Sequence, residues 1–187
     1  MLLGLLAFGD MIKATAKQAV DRLHALGIDT VLLTGDTRGS AQAVGQALGI
    51  RQIEAEVLPG DKADTVTRLR ASGRTVAMVG DGINDAPALA AADVGIAMAT
   101  GTDVAMETAG ITLMRGDPTL VAASLDISRR TYATIKRGLF WAFIYNLVGI
   151  PLAAFGWLNP MMAGAAMALS SVSVVANALT LRRWQAR

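Results

Sequence analysis

The chain has 187 residues, 53% of them hydrophobic and 17% charged, with a formal net charge of +2. That length holds one ordinary domain, or a small domain with an appendage, and so small a net charge lends little support to nucleic-acid binding. Cysteine is absent, which excludes disulfides and thiolate metal sites within this chain.

In chain order, the opening "MLLGLLAF" is too short and too uncharged at its start for a signal peptide, and Asp10 interrupts it. It reads as a buried strand, Leu2–Phe8. Further strands are expected at Thr30–Leu33, Thr75–Val79, Val94–Met98 and Ile111–Met114. Helices are expected at Ala14–Leu26, Gly39–Leu48, Asp61–Ser72, Asp85–Ala92 and Thr102–Thr108. Alternating strands and helices predict an α/β fold, a mostly parallel sheet with helices on both faces. Ligands of such sheets sit outside the carboxyl ends of the strands. His24 reads as a surface or packing histidine, and Met78, Met98, Met106 and Met114 read as core.

Polar turns fall at that ligand-binding edge. "TGD" (34–36) follows "TVLL", and "GDGIND" (80–85) follows "TVAMV". Between them "PGDK" (59–62) opens a helix that Asp61 can cap. Two aspartates and an asparagine on one tight turn repel or crowd one another unless a cation or phosphate network stabilises them. Together the turns offer a hydroxyl and N–H groups from Thr34 and Gly35, an ammonium from Lys62, and carboxylates from Asp81 and Asp85, with Asp36 a further catalytic candidate in its turn. Phosphoryl transfer needs that set, with donors for the equatorial oxygens and carboxylates for Mg²⁺. Asp81 is the expected Mg²⁺ ligand, with Gly80 and Gly82 permitting the turn. Asn84 and Asp85 are expected to fix the surrounding network, Asp85 also belonging to the Mg²⁺ site.

Beyond this region, "RGDPTLVAASLDISRRTYATIKR" (115–137) predicts an amphipathic helix starting at Asp117–Pro118. From Gly138 to Leu181 there is no Asp, Glu, Lys or Arg. Segments 138–157 and 161–181, each about twenty residues, are long enough to cross roughly 30 Å of hydrocarbon, with "LNP" as the break. Arg129, Arg130, Lys136 and Arg137 precede the block and Arg182, Arg183 and Arg187 follow it, so both ends are expected on the cytoplasmic side. Ala163, Gly164, Ala165, Ala166 and Ala168 would let the second helix approach neighbours closely. Inside the block stand Tyr145, Asn146, Ser170, Ser171, Ser173 and Asn177, polar groups that hydrocarbon penalises unless they face protein or a pathway. Met167 and Ser171 share a helical face, and a thioether suits Cu(I), although Met167 taken alone reads as packing, a reading that the Tyr145–Asn146 pair on the other helix weakens but does not abolish.

Thr34-Gly35-Asp36, Pro59-Gly60-Asp61-Lys62 and Gly80 to Pro87 resemble the phosphorylation-domain motifs of P-type ATPases, within the haloacid dehalogenase superfamily. The resemblance implies that Lys62 contacts an aspartyl phosphate, that Thr34 and Gly35 hydrogen-bond it, and that Asp81 holds Mg²⁺. Asp10 in "GDMIK" is similar to the hinge aspartate beside the nucleotide-binding domain, in the form seen in heavy-metal pumps. Tyr145, Asn146, Met167 and Ser171 resemble ligands in the last two helices of copper- and silver-exporting pumps. Zinc and cadmium pumps would place a lysine and an aspartate-glycine pair in these helices, and neither is present.

No Asp-Lys-Thr-Gly-Thr stretch occurs, so the family's nucleophile is missing. So are the nucleotide-binding domain, the actuator and the Cys-Pro-Cys helix. The expected divisions are a partial phosphorylation domain (1–116) with its nucleophile strand missing, a connecting helix (117–137) and a transmembrane hairpin (138–187). The resemblance implies ATP and Mg²⁺ as cofactors of the complete pump and Cu⁺ or Ag⁺ as the transported ion. Implied partners are the remainder of the pump, membrane lipid and a copper chaperone, in the plasma membrane. A separately expressed non-catalytic membrane protein that binds a pump or chaperone is the alternative. A membrane-anchored phosphatase is a third reading, opposed by the missing nucleophile.

Overall fold

The computed structural model describes residues 11–81, 83–98, 103–157 and 159–184. The expected strand Leu2–Phe8, together with Asp10 and Gly82, lies outside the described residues. The chain divides into two compact units, Met1–Ala122 and Ala123–Arg187.

The first unit alternates helices and strands: α1 (Ala16–Ala25), β1 (Val31–Leu33), α2 (Arg38–Leu48), β2 (Gln52–Glu54), α3 (Asp61–Ala71) and β3 (Ala77–Gly80). A short 3₁₀ turn, Ile83–Asp85, leads into α4 (Ala86–Ala91), followed by β4 (Val94–Met98), α5 (Asp103–Thr108) and β5 (Ile111–Leu113). All pairings are parallel. Among the described residues β1 pairs with β2, and β3, β4 and β5 form a second sheet in that order. Sequence reading missed β2, whose three residues carry one apolar side chain. Its pairing partner β1 is remote in sequence, with Val31 opposite Gln52 and Leu33 opposite Glu54.

The continuous apolar run of β4 reflects burial on both faces. Ile96 and Met98 pack with Leu113 and Val121, with Leu23 of α1 against them, while Ala97 packs on the opposite side with Leu89 of α4 and Ala105 of α5. Ile96 and Leu89 are essentially fully buried, each contributing roughly 2 kcal/mol by removal from water. This packing positions the polar turns, because it holds β4 rigidly beside β3, from which the acidic turn emerges.

Two long helices follow. α6 runs unbroken from Thr119 to Ala154 (36 residues), a length of about 54 Å. The expected connecting helix and first apolar segment are therefore one element. Its start follows Asp117, whose carboxylate accepts from Thr119 N at 3.0 Å. That bond is the main cause holding the Asp117 carboxyl below its ordinary range.

Pro151 lies in the final turn of α6, and the helix stops at a glycine. Gly156 takes φ +72, Gly156 N donates to Ala153 O and Trp157 N to Leu152 O. These are the two bonds of a Schellman ending, which needs the left-handed conformation glycine adopts freely. α7 (Pro160–Leu179) then opens with Asn159 as its cap, Oδ1 accepting from Met161 N at 2.7 Å and Met162 N at 3.1 Å. A 3₁₀ turn, Thr180–Arg183, ends it. Both helices are long and apolar enough to cross a membrane.

Within the second unit the helices meet through polar contacts. Asn177 Nδ2 donates to Thr134 O at 2.7 Å. Ser173 donates its proton to Leu169 O at 2.8 Å, so its oxygen, 3.4 Å from the Tyr145 hydroxyl, serves as the acceptor. Gly164, Ala165 and Ala168 of the small-residue stripe are exposed, and Ala163 and Ala166 are half-buried.

Candidate active site

The acidic turn begins where β3 ends. Gly80 closes the strand, Asp81 is exposed at its carboxyl end, and Asn84 is exposed in the 3₁₀ turn. Asp85 is buried, at 9% exposure. A side chain at residue 80 would meet Asp85 directly, with a Cβ placed 2.8 Å from Asp85 Cβ and 2.9 Å from Oδ2. Glycine is required there so that the Asp85 carboxylate can fold back against the strand.

Lys62 lies in the first turn of α3 and is half-buried. Its Nζ donates to Asp85 Oδ1 at 2.7 Å, with side-chain exposures of 17% and 13%. Charge-assisted bonds of this length are strong and directional. The expected cap at Asp61 is not found: Gly60 occupies the N-cap position with no side-chain bond, and Asp61 is exposed in the first turn. There its charge still complements the positive helix end.

The Thr34–Asp36 turn is held differently. The Thr34 hydroxyl donates to Asp36 Oδ2 at 3.0 Å and accepts from Asp36 N at 3.1 Å. Its backbone is laced to the end of β2 and the residues that follow: Thr34 N donates to Glu54 O, Glu56 N to Asp36 O and Val57 N to Thr34 O. Glu56 takes φ +60 to make that crossing, and its side chain accepts from Arg38 N at 3.3 Å. Sequence reading missed this support because neither β2 nor Glu56 carries a local signal. Gly35 is exposed at the tip of the turn.

A second support was also missed. At the far end of α3, Arg70 Nε donates to Asp93 Oδ1 at 2.9 Å and Nη1 to Ala91 O at 2.7 Å. Asp93 Oδ2 accepts from Val76 N at 2.8 Å. The Val76 amide foremost, then the Arg70 guanidinium, hold the Asp93 carboxyl below its ordinary 3.8. This brace fixes both α3, whose opposite end carries Lys62, and the chain entering β3. These partners stand 17 and 23 residues apart, so only the tertiary fold exposes them.

The expected copper-site residues lie in the second unit. Tyr145 faces α7 at Ser173, not at Ser171. Asn146 bonds its own helix at Ala142 O, and Ser171 bonds its own helix at Met167 O. Asn146, Met167 and Ser171 are exposed, Met167 at 73%. The two helices therefore do not assemble these four groups around one point.

Comparison with known proteins adds a separate line of observation. Residues 1–93 match the haloacid dehalogenase-like hydrolase family. Over 180 residues the chain is 57% identical to the copper-exporting P-type ATPase of Bacillus subtilis, a match covering 96% of this chain and 22% of that protein. Over nearly its whole length the chain is thus similar to one stretch of the copper-transporting P-type ATPases. The chain is also 55% identical over 184 residues to the probable copper-importing P-type ATPase A of Enterococcus hirae, covering 97% of this chain and 25% of that protein. Its fold follows the crystal structure of a zinc-transporting PIB-type ATPase in the E2.Pi state, with TM-score 0.85 and 39% identity over 93% of this chain and 28% of the other. The chain thus spans about a quarter of the length of the curated relatives it matches. The two apolar helices, together with the likeness to P-type ATPases, support an integral membrane protein.

Proposed function

We propose that this chain is the C-terminal part of an ATP-driven exporter of monovalent copper that works through an aspartyl phosphate, and that it is not catalytic alone. The observation that carries the reading is the Lys62–Asp85 ion pair, which unites the PGDK and GDGIND turns beside Asp81.

Lys62 presents its remaining N–H bonds to the equatorial oxygens of a transferred phosphoryl group. Asp85 holds that ammonium in place, and Asn84 orients the same group from the 3₁₀ turn. The Gly35 amide, at the exposed tip of its turn, donates to another phosphoryl oxygen. The Thr34 hydroxyl, now directed at Asp36, does so after turning about its Cβ–Oγ1 bond. None of these groups is a nucleophile for ATP, because each carboxylate present already has a structural or metal-holding task. The accepting carboxylate comes from polypeptide outside this sequence.

For Mg²⁺, Asp81 fits as one exposed carboxylate ligand, and among the described residues no group of three or more His, Cys, Asp or Glu forms a complete cage. That donor set suits magnesium, which keeps several waters and takes one or two carboxylates plus phosphate oxygens. When bound, the ion would neutralise charge on the phosphoryl oxygens. The arrangement of strands supports the same reading. Among the described residues, β1 and β3 each pair on one side only, leaving edges that a nucleophile-bearing strand can join.

Copper would pass as substrate between these helices and upstream ones, with Met167, Ser171, Tyr145 and Asn146 as contributors. Exposure of Met167, Ser171 and Asn146 supports their use against other helices of the pump. Nucleotide-binding and actuator domains, the Cys-Pro-Cys helix and a copper chaperone are the proposed partners. The plasma membrane is the proposed location, with both ends cytoplasmic.

The test uses γ-labelled ATP with Mg²⁺, on this chain alone and joined to the upstream polypeptide of a copper pump. The expectation is no acid-stable, hydroxylamine-sensitive label on the chain alone and copper-stimulated label on the joined protein, lost on Asp81→Ala. Met167→Ala should remove copper stimulation yet leave phosphorylation by inorganic phosphate. Label on the isolated chain, or copper stimulation surviving Met167→Ala, would overturn the corresponding claim.

A further inference from the structure

At the end of the hairpin where the chain leaves α7, a cavity of about 280 Å³ is lined by Arg130, Thr134, Arg137, Thr180, Arg183 and Trp184, among others. Three guanidiniums share this space with one nearby carboxylate. Asp126 takes two bonds from Arg130 Nε at 3.1 and 2.9 Å, and one from Trp184 Nε1 at 2.8 Å. Among the described residues Arg137 makes only long contacts within its own helix, 3.4 Å each to Ala133 O and Thr134 Oγ1. No ion pair engages Arg183 among the described residues. The cavity therefore keeps an excess of two positive charges, with unused N–H forks.

We propose that this cavity binds the phosphate of an anionic phospholipid, Arg137 and Arg183 contacting its oxygens. Guanidinium forks match phosphate oxygens two at a time. A free phosphate would satisfy those donors equally. What favours a lipid is the adjoining surface: within two turns of Arg137 on α6, Leu139, Phe140, Trp141 and Phe143 are all substantially exposed, as is Leu179 on α7. A charged pocket opening onto apolar helix surface, with a tryptophan at the boundary, has the two-part chemistry of a headgroup and its acyl chains. The Trp184–Asp126 bond holds the turn after α7 against α6 and so keeps Arg183 over the cavity. This inference rests on the reading of α6 and α7 as membrane-spanning.

The experiment reconstitutes the full chain into nanodiscs of phosphatidylcholine, with or without phosphatidylglycerol, and counts retained lipids by native mass spectrometry. Carbonate extraction from matching vesicles reports insertion. The wild-type chain should retain phosphatidylglycerol above its bulk share. Arg137→Gln and Arg183→Gln should each lower that preference about fivefold, while Arg182→Gln, outside the cavity, changes it far less. Insertion with no preference for phosphatidylglycerol, or a preference untouched by the Arg137 and Arg183 changes, would overturn the headgroup site and leave the membrane reading standing. Failure to insert would overturn both. Binding of inorganic phosphate in detergent, with equal displacement of phosphatidylglycerol by it, would assign the cavity to the free anion and overturn the lipid.

Discussion

Lys62 and Asp85 form a 2.7 Å ion pair that joins the first turn of α3 to the turn after β3, with both side chains largely removed from solvent. Removing the ammonium takes a cation from a carboxylate that is only 9% exposed. Lys62→Ala is therefore expected to destabilise the first unit by about 2 kcal/mol. A double-mutant cycle with Asp85→Asn, read by urea titration of the full chain in detergent, should return a coupling of comparable size. Additive losses would show that the pair contributes nothing as a pair.

Gly80→Ala should disturb the same place from the other side. The added methyl would stand 2.8 Å from Asp85 Cβ, so either the strand end or the carboxylate has to move. An overpacking cost of about 1–3 kcal/mol is expected. In the complete pump, phosphorylation should fall along with it. Stability unchanged within error would mean that the turn relaxes freely and that the close approach imposes nothing.

The Arg70–Asp93 brace gives a pH dependence of known sign. The folded state holds the Asp93 carboxyl below its ordinary 3.8 through the Val76 amide and Arg70. The stabilisation is therefore present in full above that ordinary value and is lost as pH falls through the lowered folded value. The difference in urea midpoint between the wild-type chain and Asp93→Asn should stay constant near neutrality and shrink once pH drops below 3.8. A gap that widens on acidification would contradict the assignment.

In the hairpin, Asn177→Leu removes the donor to Thr134 O, a 2.7 Å bond between α7 and α6. Interhelical bonds of this kind are worth about 1 kcal/mol in a membrane. Steric trapping or detergent titration of the reconstituted chain should register a loss of that order. No loss would assign the association of the two helices to packing alone.

By itself, the sequence determined the elements whose signal is local. The polar turns after strands, the apolar run of β4, the Asp117–Pro118 helix start and the two charge-free segments were all legible, because periodicity and turn chemistry act over a few neighbouring residues. What waited for the tertiary structure were relations between distant positions. β2 exists because its backbone pairs with β1, not because "QIE" favours a strand. Asp93 matters because folding brings Arg70 and the Val76 amide to it. Tyr145 meets Ser173 because antiparallel helices set that register, and Arg130, Arg137 and Arg183 share one cavity only once the hairpin closes. The division has one physical cause: backbone preference is carried by adjacent residues, whereas pairing, bracing and enclosure depend on chain closure, which no short stretch encodes.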